Sequence, residues 1–147
     1  HIGHCVIHAC LMDEDFEYRD WGLLDSTHIR FFGLRNMQNL MMGAGLKVID
    51  VRFVNRMPED TEYADRWRDA PAELKEAVVK NPFAYVYQCV IVAVPARAGG
   101  EEINIMEQRP QRPQVTSMMR ANRFMKRHLP ESFYLLSRRI YGSIFRK

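Results

Sequence analysis

The sequence predicts an α/β body followed by a basic helical tail, and three observations carry that prediction. Residues 47–55 and 83–94 have the β-branched and aromatic content of strands. The stretches around them space apolar residues as helices do. Residues 97–114 hold the breakers Arg97-Ala-Gly-Gly-Glu-Glu and Gln108-Arg-Pro-Gln-Arg-Pro-Gln114, which end a body of residues 1–107 and open a tail of residues 108–147. At 147 residues, 47% hydrophobic and 27% charged, the chain has the size and balance of one ordinary globular domain.

Taken in order, Leu34 to Ala44 places apolar residues at 34, 37, 40, 41 and 44, and Gly45 suits a left-handed cap. This predicts a short amphipathic helix. In residues 47–55, Ile49, Val51 and Phe53 point one way while Asp50 and Arg52 point the other, predicting a strand with one wetter face. Pro58 to Lys80 is charged and rich in Ala and Glu, with Pro71 at a helix start, and reads as two short helices closed by Asn81-Pro82. Residues 83–94 are apolar almost throughout, predicting a strand buried on both faces. Such a strand needs neighbours on both edges, so its second edge is expected to pair with a segment outside these residues or with a second copy. The tail reads as helices at 116–128 and 131–146, the second a basic amphipathic helix suited to a protein partner or an anionic membrane face.

Charge is unevenly distributed. Residues 1–108 hold 11 Lys and Arg against 17 acids, a net of −6, and residues 109–147 hold 10 against Glu131 alone, a net of +9. The tail therefore calls for an acidic partner surface. Nucleic acid is not expected, because the arginines do not alternate with aromatics and no nucleic-acid motif appears. No stretch approaches the roughly 20 apolar residues of a membrane span, and no secretory leader is recognisable, which points to the cytoplasm. Cys5, Cys10 and Cys89 lack metal or disulfide spacing and read as buried reduced thiols, so no metal site is expected.

The densest chemistry lies in residues 16–32. Asp25, Thr27, His28 and Arg30 fall within six residues, among Trp21, Phe31 and Phe32 and just after a turn at Gly22. Such a run suits a loop lining a polar ligand pocket. It equally suits an internal network in which Asp25 pairs with Arg30 and His28 is a core histidine.

Gly22-Leu-Leu-Asp-Ser-Thr-His-Ile-Arg-Phe-Phe32, followed by a helix ending Ala44-Gly45-Leu46 and then a strand, resembles a pattern of class I S-adenosylmethionine-dependent methyltransferases, in a subgroup often linked to glycosyltransferases. Ile2-Gly3-His4 resembles the segment that follows the fifth strand in that family. The resemblance implies the C-terminal part of a Rossmann-like seven-stranded sheet, with 47–55 as the edge sixth strand and 83–94 as the antiparallel seventh, between the fifth and sixth. It also implies methyl transfer from S-adenosylmethionine to a small or sugar-linked acceptor. The family's glycine-rich cofactor loop has no counterpart, since Gly43-Ala-Gly45 ends a helix instead of opening one. This stretch alone is therefore expected to bind the cofactor poorly and to lack activity.

On that reading His28 is the expected catalytic base or acceptor-positioning group, since an imidazole takes up a proton near neutrality, and His4 is the second candidate. Asp25 orients His28 or binds acceptor hydroxyls, and Arg30 holds an acceptor carboxylate or phosphate. Thr27, Trp21 and Phe31 complete the acceptor site, although Phe31 and Phe32 also suit a core. The competing expectation is a non-catalytic binding module that docks through its basic tail.

Overall fold

The computed structural model describes residues 1–128, and the chain divides into two compact units, His1–Pro113 and Gln114–Lys147. The first unit is α/β, with a two-stranded antiparallel sheet flanked by helices. Among the described residues no helix is long and apolar enough to cross a membrane.

The unit begins with a helix, α1 (Cys5–Met12), that sequence periodicity does not reveal. Cys5, Val6, Ile7, Ala9 and Cys10 are all buried, so the helix is apolar nearly all round and shows no polar stripe. It packs with Leu23, Leu24, Tyr63, Trp67, Ala70 and Ala84 into one core cluster. Burial pushes the Cys5 and Cys10 thiols up to about 12 and about 11, which keeps them protonated and inert. After the long loop 13–33 comes α2 (Leu34–Gly43), and Gly45 takes φ +72, the left-handed turn expected of it.

Strand β1 (Leu46–Asn55) pairs with β2 (Val86–Pro95), and a register shift lies between Val48 and Asp50. That bulge brings Val48, and not the expected Ile49, to join Val51 and Phe53 in a second cluster, with Leu34, Phe83, Val86, Ile91 and Ile105. Between the strands lie a single 3₁₀ turn at Pro58–Asp60, α3 (Ala64–Asp69) and α4 (Ala72–Val78), the last preceded by Pro71. Arg66 of α3 pairs with Asp13 and Asp15, tying the end of α1 to the middle of the chain. Beyond β2 the chain turns back. Ile103 N–H donates to Val48 O at 2.8 Å, Ile105 N–H donates to the Gln38 side chain at 2.7 Å, and Ile105 is fully buried.

Three expectations are corrected here. Strand β2 starts at Val86, because Asn81 organises a turn through 83–85: its side-chain oxygen accepts from Phe83 N–H at 2.9 Å and its carbonyl from Ala84 N–H at 3.1 Å. Nor is β2 buried on both faces. Val90 is 52% and Val92 44% exposed, because the described residues place no element over that face. Composition made the strand apolar on both sides, but cover came to one side only. Cys89, expected in the core, is half-buried.

In the second unit, α5 (Ser117–His128) is described, with the Phe124 and His128 rings stacked at 4.5 Å. The helix expected at 131–146 lies outside the described residues.

Candidate functional site

Loop 13–33 is irregular but anchored. Arg19 N–H donates to Leu24 O at 2.9 Å and Ser26 N–H to Arg19 O at 2.8 Å, while Leu23 and Leu24 bury their side chains beneath. Gly22 turns the chain at φ +105, and a Cβ there would overlap the Glu62 carboxylate. That carboxylate clasps the loop to the sheet: Oε1 accepts from Leu23 N–H at 2.5 Å and Oε2 from the Tyr87 hydroxyl at 3.0 Å. Arg19 adds a bond to Glu62 O at 2.8 Å. Burial, then the Glu62 charge, holds the Tyr87 phenol protonated well above its usual range.

Beyond the anchored base, Asp25 builds an Asx turn, its Oδ1 accepting from Thr27 N–H at 2.8 Å and from the Thr27 hydroxyl at 2.6 Å. The Thr27 hydroxyl, the Thr27 amide and then the nearby His28 hold the Asp25 carboxyl below the usual carboxylate range. The turn lifts His28, Ile29 and Arg30 outward, and all three are exposed. Phe31 turns back in, with Phe16 edge-on at 5.8 Å and the His28 ring edge-on at 5.9 Å.

Trp21, Asp25, His28, Arg30 and Phe31 line one cavity of about 520 Å³. The opposite wall comes from α2 and the sheet, through Met37, Arg56, Tyr87 and Cys89. Trp21 is 57% exposed, so much of its indole remains open to solvent or a ligand. Of the two readings left open by residues 16–32, the internal Asp25–Arg30 pair is not formed: Asp25 bonds Thr27, and Arg30 makes no ion pair or hydrogen bond among the described residues. His28 is likewise exposed and is no core histidine.

Thr27 does not line the cavity, and acts by holding Asp25. His4 requires a correction. It is fully buried as the N-cap of α1, with Nδ1 accepting from Val6 N–H at 3.3 Å and Nε2–H donating to Arg56 O at 3.0 Å. Burial pushes it down to about 4. With both nitrogens engaged and no wall of the cavity, it is a structural histidine and not a second base.

Sequence reasoning missed Arg56, Tyr87 and Glu62. Arg56 directly follows a strand, where a side chain reaches the rim of a sheet, and that was the available signal. Among the described residues no three His, Cys, Asp or Glu side chains gather as a metal site requires. Neither strand opens through a glycine-rich loop into a helix: β1 runs into the 3₁₀ turn at Pro58–Asp60, and Gly99-Gly100 lead to the return segment at Ile103. These residues do not build a dinucleotide-type cofactor cradle. No protein-family model matches the chain, and no curated protein matches it.

Proposed function

We propose that this chain forms the acceptor side of an S-adenosylmethionine-dependent methyltransferase, as the C-terminal part of a Rossmann-like sheet whose cofactor half is not among these residues. The observation that supports it is the cavity. Asp25, His28, Arg30 and Phe31 of the methyltransferase-like segment line it together with Trp21 just before that segment, and His28 and Arg30 are exposed and unpaired among the described residues. Among the described residues no strand pairs with the other edge of β2, where the resemblance implies a fifth strand, and the exposed Val90 and Val92 face is where that half of the sheet's covering would fall.

The cofactor, held by the glycine-rich half, would supply the methyl group. The residues of this chain do the rest. His28 takes the proton from an acceptor hydroxyl or amine as it becomes a nucleophile. Asp25, its carboxylate fixed by Thr27, steadies the imidazolium that results. Trp21 and Phe31 wall the acceptor and hold it in line, which is the main demand of a displacement at a methyl carbon. Isothermal titration of S-adenosylmethionine and of its demethylated product into the full-length protein containing this chain tests the reading. Heat of binding for both supports it, and no heat for either refutes it.

A further inference from the structure

Two arginines line the cavity against one acidic residue. Arg30 enters from the loop and Arg56 from the end of β1, while Asp25 is the carboxylate lining it, with one oxygen taken by Thr27. Arg56 is held on every side. Its amide donates to Tyr85 O at 2.9 Å, its carbonyl accepts from His4 Nε2 at 3.0 Å, and its guanidinium carbon sits 4.1 Å from the Tyr87 ring centre. Tyr87 in turn is fixed by Glu62. Arg30 has no intramolecular hydrogen bond or ion pair among the described residues. Bringing two like charges to one cavity is unfavourable unless an anion joins them, and a guanidinium offers a planar pair of donors that matches a carboxylate or phosphate.

We propose that the cavity seats an oxyanion, a carboxylate or phosphate on a small molecule, between Arg30 and Arg56, with the ring or apolar body of that molecule against Trp21 and Phe31. As a statement about the methyl acceptor this rests on the reading above. As a statement about binding it stands on the cavity.

The chain's two tryptophans make the test direct, because Trp21 lines the cavity and Trp67 is buried in the cluster around α1 and does not line it. Phenyl phosphate, benzoate and neutral benzyl alcohol are titrated into the nitrogen-15-labelled 147-residue chain, and the two indole N–H cross-peaks are followed. The Trp21 peak is expected to shift saturably with phenyl phosphate or benzoate and not with benzyl alcohol, while the Trp67 peak stays still. Whichever anion binds more tightly identifies the group. Arg30→Gln is expected to weaken that binding by about tenfold or more, and Arg56→Gln likewise with an unmoved Trp67 peak. Since Arg30 supports no other part of the fold, its variant decides the matter even if loss of Arg56 from Tyr87 disturbs folding. No shift, an equal shift with benzyl alcohol, or unchanged binding by Arg30→Gln overturns the proposal. Oxyanion binding without heat from S-adenosylmethionine would remove methyl transfer and leave the seat, and the converse would remove only the seat.

Discussion

His4 makes the stability of the body depend on pH in a way that can be calculated. Its Nδ1 accepts the Val6 amide and its Nε2–H donates to Arg56 O, so the folded chain needs the neutral ring with the proton on Nε2. Burial pushes it from 6.5 down to about 4. As the pH falls below about 6.5 the unfolded chain takes up this proton first, so the contribution is complete above that pH and is lost on the way down to 4. The loss amounts to about 3 kcal/mol between pH 7 and pH 4. Carboxylates titrate over part of the same range, so the comparison is with His4→Asn, whose side-chain oxygen still caps Val6. Urea unfolding followed by circular dichroism at steps from pH 7.5 to pH 4 should show the variant less stable at neutral pH, by about 1–3 kcal/mol for the lost bond to Arg56 O. That gap should shrink by about 3 kcal/mol as the pH falls. Two curves that run parallel through the whole range would refute the neutral buried cap.

Three further outcomes are expected. Val90→Asp and Val92→Asp should each shift the stability of the 147-residue chain by no more than about 0.5 kcal/mol in thermal unfolding, because both side chains already meet solvent; a collapse of folding would show that the face is covered. Gly22→Ala should destabilise by more than about 1 kcal/mol and broaden the Trp21 indole resonance, since the positive φ and the Glu62 carboxylate both oppose a Cβ; an unchanged melting curve would contradict the clasp. On the proposed methyl transfer, His28→Ala in the full-length protein should cut turnover by about a hundredfold with an unchanged melting temperature, because His28 is exposed; a lowered melting temperature with unaltered kinetics would return it to a structural role.

Much of this was legible because local chemistry and final environment agree. Val51 and Phe53 share the core face on either side of Arg52 as strand residues do, Gly45 marks a helix end, and residues 16–32 carry more polar function than a core would tolerate. Helix α1 escaped for the opposite reason: it is apolar almost all round, and its cap is a histidine, outside the Ser, Thr, Asp and Asn that usually announce a start. The exposed face of β2 was not legible, since an apolar sequence records what a face can tolerate and not what lies over it. Arg56, Tyr87 and Glu62 meet only because β1, β2 and the chain before α3 converge. Apart from Arg56's place just past a strand, their local sequence does not distinguish them from surface arginine, core tyrosine and solvated glutamate.

The loop around Asp25 has a firm base and a free tip, and that division bears on how its chemistry can change. Leu23 and Leu24 are buried and Glu62 secures the backbone beneath them, whereas Ile29 is 96% exposed. Substitutions at His28 and Arg30, which line the cavity from this tip, therefore alter what it offers without disturbing what keeps the body folded. For the proposed oxyanion seat, ligand preference is free to drift at these two positions while the scaffold stays constant, and a library randomised at 28 and 30 would sample new specificities from a pool of molecules that nearly all still fold.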